Sequence, residues 1–252
     1  MRLGLLFFLL IASGSVASGD TIAFFYALDG DLAALKTEAR EVGQPYAVGA
    51  RRIQRLALGS HTIYALKMGS GCVETAASAQ ALLSRFRCDW AFSLGPAGAL
   101  SENIETGRWY RADRVIAWQR ESSTWETDWG RFPATSPSPL LQSTSAIAVA
   151  SGEIFVSSSG ERERIRAVTG ADAVDMNSFG LALVCADHGV PLFNWKIISD
   201  RADENAPADF RAFVESYQGE GGRALADIIS LLPANPRDPA SYPAIEELLR
   251  NP

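Results

Sequence analysis

The stretch Thr21-Ile-Ala-Phe-Phe-Tyr26-Ala-Leu-Asp29-Gly-Asp31-Leu-Ala-Ala-Leu35 changes period from strand to helix across one acidic turn. Its first six residues are apolar and β-favouring, and the residues after the turn place Leu32, Leu35 and Ala39 on one helical face. The same succession of strand, polar turn and helix recurs outward from it. Ala47 to Leu58 and His61 to Met68 alternate in polarity around Gly59-Ser60 and predict a hairpin, which empties into Gly69-Ser-Gly71 and a small-residue helix, Val73 to Phe86. Asp89 to Leu94 reads as a buried strand ending in a turn, Gly95-Pro-Ala-Gly98, and Gly107 to Trp118 as a further strand. Beyond Ser151-Gly-Glu-Ile-Phe155-Val156 the pattern predicts helix Glu161 to Val168, strand Ala171 to Met176, helix Phe179 to His188 and strand Leu192 to Ile198. A single amphipathic helix from Ala208 to about Leu232 closes the chain, and 233–252, with five prolines, is expected to be an irregular tail. Alternating strands and helices predict one doubly wound α/β domain.

Two segments stand apart from that pattern. Met1-Arg2, the apolar run Leu3 to Ala12 and the small residues Ser13-Gly-Ser-Val-Ala17 read as a signal peptide, so residues 1–17 are expected to be removed and the exported chain to begin near Ser18. The run is shorter than the roughly 20 apolar residues of a spanning helix. Gln119 to Ser145 is a long polar stretch carrying Trp125, Trp129 and Phe132, and long loops in compact domains are usually functional or mobile.

Composition excludes several classes of function. A chain of 252 residues with net charge −6 and no basic run longer than Arg51-Arg52 has no stripe to neutralise a phosphate backbone, so nucleic acid is not an expected partner. His61 and His188 are far apart and complete no zinc pattern, so neither a metal nor a cofactor is expected. Cys72, Cys88 and Cys185, an odd number, form no disulfide framework. Gly69-Ser-Gly71-Cys-Val-Glu74 lacks the third glycine of a dinucleotide fingerprint, and there is no phosphate-binding P-loop and no Gly-x-Ser-x-Gly elbow.

What remains is the carboxyl edge of the predicted sheet, where ligands of open α/β folds bind. It collects Asp29 and Asp31, Gly69 to Gly71, Gly95 to Gly98, Asp175 to Asn177, and Ser199-Asp200. Acids in unlike environments let one site run acid and base chemistry together.

In order along the chain, Ala27-Leu-Asp-Gly-Asp31-Leu, Leu66-Lys-Met-Gly-Ser-Gly71, Leu94-Gly-Pro-Ala-Gly98-Ala-Leu, Ser151-Gly-Glu-Ile-Phe155-Val156, Val174-Asp-Met-Asn177-Ser and Ile197-Ile-Ser-Asp200-Arg-Ala-Asp203 resemble the motifs of the purine nucleoside phosphorylase superfamily. The branch they resemble most is that of the methylthioadenosine/S-adenosylhomocysteine nucleosidases, over about Thr21 to Leu232. The resemblance implies an α/β/α sandwich with a central mixed, mostly parallel sheet, and hydrolysis of a purine nucleoside's N-glycosidic bond through an oxocarbenium-like transition state.

It further implies that Asp200 delivers a proton toward purine N7, where the residue-level alternative is a helix cap. Asp31 matches the carboxylate that activates water, one methylene shorter than usual; the alternative for Asp29 and Asp31 is helix N-terminal charge. Phe155 would stack on the base, the backbone of Val156 would meet its edge, and Met176 would lie under the sugar, although each of the three also reads as ordinary core. Ala97, Gly98, Asp175 and Ser199 are carried over as substrate-lining residues of the same motifs. Asn177 stands for a ribose-gripping Glu, Lys196 for an Arg near the water, Pro96 for a hydroxyl residue and Ser93 for a phosphate-binding Arg. The missing anion clamp favours water over phosphate as nucleophile. The resemblance also implies a homodimer, with the Trp125 to Pro133 loop walling the 5′ substituent. A non-catalytic nucleoside-binding protein on the same fold, and a phosphorylase, are the alternatives.

Overall fold

The computed structural model describes residues 19–119, 124–126 and 145–232. Strand β1 (Thr21–Tyr26) leads into helix α1 (Asp29–Glu38), followed by β2 (Arg40–Glu41), β3 (Tyr46–Val48), β4 (Arg51–Leu58) and β5 (His61–Lys67). Helix α2 (Cys72–Leu83), β6 (Trp90–Ala99), β7 (Trp109–Ala117), β8 (Thr124–Glu126) and β9 (Ala146–Ser151) come next. Helix α3 (Ser159–Thr169), β10 (Ala173–Asp175), α4 (Ser178–Asp187), β11 (Leu192–Asp200), α5 (Ala206–Ser216) and α6 (Glu220–Leu231) complete the order.

The strands form one mixed sheet in the order β10-β9-β7-β11-β6-β1-β5-β4-β2. Its centre, β5-β1-β6-β11, is parallel, while β4 joins β5 and β7 joins β11 antiparallel. Burial on both faces explains why β1 is continuously apolar. Ile22, Phe24 and Tyr26 pack with Leu35 of α1 and Leu225, Ile228 and Ile229 of α6, whereas Ala23 and Phe25 pack with Leu82 of α2 and Leu181 of α4. Helices on both faces make the expected α/β/α sandwich.

Three expectations are corrected, besides the strand read from Ala47 to Leu58, which is divided into β3 and β4, paired antiparallel across a turn at Gly49. Gly95-Pro-Ala-Gly98 is no turn: β6 runs straight through it, pairing Ala97 with Ile198 and Gly98 with Asp200 of β11. Strand β1 ends opposite Leu94, so Pro96 stands where β6 has an open edge, the place a sheet tolerates proline. Gly98 and Ala99 then pair with β10, which closes β6, β11, β7, β9 and β10 into a ring around Ala97, Ala99, Ala112, Ile147, Val149 and Ile198. The second correction concerns the final helix, which is two helices. Gly219 breaks it with φ +76, and a Cβ there would lie 2.1 Å from the carbonyl oxygen of Gly30, so only glycine lets this turn press on α1. The third is β8, inside the stretch read as loop, whose Trp125 pairs with Val115 of β7. The leader 1–17, the tail 233–252 and the loop residues Trp129, Phe132 and Pro133 lie outside the described residues.

Candidate active site

Asp200 ends β11 and is 2% exposed. Its Oδ1 accepts the Ala202 N–H at 2.9 Å, and its Oδ2 lies 2.8 Å from Ser199 Oγ, which is itself 3.3 Å from the carbonyl oxygen of Ala97. The contact with Ala202 requires an unusual backbone, since that residue adopts φ +51 without being glycine. Gly98 is equally constrained: a Cβ there would sit 2.8 Å from Asp200 Oδ1 and 3.2 Å from the Ala202 Cβ. Val156 packs in the same apolar cluster as Ala202. Burial raises the Asp200 pKa, against the lowering effect of its two hydrogen bonds, and the charges of Asp209 and Asp203 push the same way as burial. The sequence-predicted acid therefore holds its proton more firmly than an ordinary aspartic acid.

Asp31, in the first turn of α1, is fully buried. Tyr217 donates its hydroxyl proton to Oδ1 at 2.7 Å and Gly222 donates its N–H to the same oxygen at 3.2 Å, while Oδ2 is buried without a partner among the described residues. Desolvation, helped by the charge of Glu220, pushes its pKa up to about 7 even though hydrogen bonds from Tyr217, Gly222 and Gly221 pull it down. Asp29 is different: its exposed carboxylate, in the first turn of α1, pairs with Lys67 Nζ at 2.7 Å, as the helix N-terminal charge alternative has it.

Asp175 and Lys196 form a buried ion pair of 2.7 Å. Asp175 also accepts the Ser178 hydroxyl at 2.6 Å and the Ser178 N–H, so it caps α4, and Asn194 Nδ2 donates to Ser178 Oγ at 2.7 Å. Burial alone would raise the Asp175 pKa, but Lys196 together with the hydrogen bonds from Ser178 and Ser151 outweighs it, and the carboxyl stays below its ordinary value. Asn177 spends its amide on the fold, donating to the Gly69 carbonyl at 2.9 Å and Thr75 Oγ1 at 2.8 Å, with Met176 half-buried beside it. Ser93 lies deep in β6, 1% exposed, where it offers no anion clamp.

Phe155 is 38% exposed, its ring centroid 5.6 Å from that of Phe210. From there rings run along α5 through Phe213 to Tyr217, with centroids 6.3 and 5.2 Å apart. Phe210 and Tyr217 went unread in the sequence, although their spacing with Phe213 marks one helical face. The two acids stand at different levels of β6. Gly221 is wedged between Asp31 Oδ1 and Leu94, and Asp200 lies against Gly98, so four residues, about 13 Å of strand, separate those levels.

An α/β/α sandwich with one buried acid at the end of central strand β11 and another in the helix turn after β1 defines the class, and the chain belongs to the phosphorylase superfamily, which matches residues 21–230. Among its relatives is a 5′-methylthioadenosine/S-adenosylhomocysteine nucleosidase of Staphylococcus aureus, 26% identical over 181 residues, covering 65% of this chain and 79% of that protein. The fold is also that of an S-adenosylhomocysteine nucleosidase from Streptococcus pyogenes, at TM-score 0.75 and 18% identity over 85% of this chain and 98% of the other. A futalosine hydrolase of Helicobacter pylori superposes at TM-score 0.74 and 20% identity, over 84% of this chain and 98% of the other.

Proposed function

We propose that this chain hydrolyses the N-glycosidic bond of a purine nucleoside, and that its substrate is a 5′-modified adenosine of the kind named for its Staphylococcus aureus relative. The observation that carries the reading is Asp200, a buried acid with a raised pKa, held at a strand end by Ser199 and the Ala202 N–H. Asp200 gives its proton to purine N7 as the bond from C1′ to the base breaks, so the base leaves neutral. Water adds to C1′ and passes a proton to Asp31, whose pKa of about 7 suits a base working near neutrality. Phe155 stacks on the base beside Phe210, Val156 meets the base edge, and Ala97, Gly98 and Ser199 shape the wall around Asp200. Met176 faces the sugar, with Asn177 beside it held to Gly69 and Thr75, and Lys196 is held by Asp175.

Water is favoured over phosphate on electrostatic grounds. Lys196 already has its charge matched by Asp175, Ser93 is enclosed in β6, Pro96 has no hydroxyl, and Asp31 repels an anion. The reading includes export by a leader spanning residues 1–17, and a homodimer in which the Trp125 to Pro133 loop covers the 5′ substituent. Non-catalytic nucleoside binding is favoured by one observation: Asn177 spends both amide protons within the fold. Release of free base from adenosine, methylthioadenosine, S-adenosylhomocysteine, inosine and guanosine, with binding measured in parallel, decides between them. Release from at least one nucleoside is expected, and binding of a nucleoside without release would establish the second reading.

A further inference from the structure

We propose that Tyr217 is the positioning residue of Asp31, the acid assigned to water activation, fixing Oδ1 so that Oδ2 alone carries the proton this acid takes up. The proposal rests on the reading of Asp31 given above. It follows from the direction of each hydrogen bond. The Gly221 N–H donates to the Tyr217 hydroxyl at 2.8 Å, so the phenolic proton is directed to Asp31 Oδ1, 2.7 Å away. The Gly222 N–H donates to that same oxygen at 3.2 Å. With two donors on Oδ1, a proton taken up by Asp31 goes to Oδ2, which is buried and has no partner among the described residues.

The local sequence is built for this contact. Tyr217 lies in the break between α5 and α6, and the glycines after it let α6 approach α1 without side chains between them. A Cβ on Gly222 would fall 1.9 Å from the Asp31 carbonyl oxygen, and one on Gly221 would fall 2.8 Å from Oδ1. Four titratable groups act on or beside this acid: Tyr26 at the end of β1, Asp29 on α1, Glu220 on α6 and Tyr217 itself. Glu220 favours the protonated acid, and Tyr217 opposes it by stabilising the carboxylate. Burial and the neighbouring Asp31 push the Tyr217 phenol far up, so it remains a donor throughout the working range.

The test is the pH dependence of base release from methylthioadenosine by the parent, Tyr217→Phe and Asp31→Asn, joined to a 13C titration of the aspartate carboxyls. Tyr217→Phe is expected to move the acidic limb of kcat/KM, and the Asp31 carbon midpoint, up by about one pH unit, lowering the rate at pH 6 about tenfold with KM little changed. An unshifted limb and midpoint, with Asp31→Asn inactive, would overturn the role of Tyr217 alone. Asp31→Asn turning over at the parent rate would overturn the reading of Asp31 and this proposal with it. A measurement on the unmodified protein covers the case of a variant that does not fold. The Tyr217 O–H proton, enclosed between Gly221 and Asp31, is expected to exchange slowly with solvent, and rapid exchange would overturn the proposal.

Discussion

Replacing Asp31 by Asn removes one buried titratable group, and its effect on stability has a calculable pH dependence. In the folded protein the carboxyl titrates near 7 instead of 3.8. The folded state therefore keeps a proton between those values that the unfolded chain has lost, and the parent's stability falls as pH rises through that window. The loss is complete above pH 7. A shift of about three units at about 1.4 kcal/mol each amounts to about 4 kcal/mol, of which about 3 kcal/mol accrues between pH 5 and pH 8. Asn does not titrate, so the variant escapes this loss. Any fixed cost of placing an amide NH2 beside Tyr217 and Gly222 is the same at both pH values and cancels from the comparison. Thermal melting of the two proteins at pH 5 and pH 8 should show the difference in Tm, variant minus parent, increasing by about 6–12 °C at the higher pH for a domain of this size. A difference that is equal at the two pH values would show that Asp31 has an ordinary pKa, and the base assigned to the water would lose its physical basis.

Other consequences are more local. Asp200→Asn should lower turnover by about 100-fold to 10,000-fold, the range expected for loss of a general acid, while nucleoside binding measured by calorimetry persists. Gly98→Ala drives a methyl to 2.8 Å from Asp200 Oδ1, so base release should fall at least tenfold with little change in circular dichroism. Lys196→Met leaves Asp175 charged and unpaired in the core, which should cost about 3–5 kcal/mol in urea unfolding, and adding Asp175→Leu should recover part of that loss.

The elements were legible in the sequence wherever hydrophobic period and turn chemistry agreed, as in β1 with α1 and in the hairpin of β4 and β5. They were misread where glycine and proline had a tertiary reason to be present. Gly95-Pro-Ala-Gly98 looks like a turn, yet the proline stands on an open strand edge and Gly98 makes room for Asp200. Gly219, Gly221 and Gly222 interrupt a helical pattern because α1 presses against them, a contact with residues about 190 positions earlier that no local pattern contains. The candidate site was read from the same strand ends and turns. Asp200 ends β11 and Asp31 lies in the first turn of the helix that follows β1, at the edge where α/β folds place ligands, and both were read as acids. Tyr217 was not read, because its partnership with Asp31 depends on how α5 and α6 dock. Asn177 was read as a ligand to the sugar, but the structure commits its amide protons to Gly69 and Thr75.

The most direct test of the central claim is the fate of methylthioadenosine in phosphate buffer, followed together by adenine absorbance and 31P NMR. Hydrolysis predicts release of adenine with the inorganic phosphate signal unchanged. Appearance of a sugar 1-phosphate, or no adenine from a protein that binds the nucleoside, would contradict it.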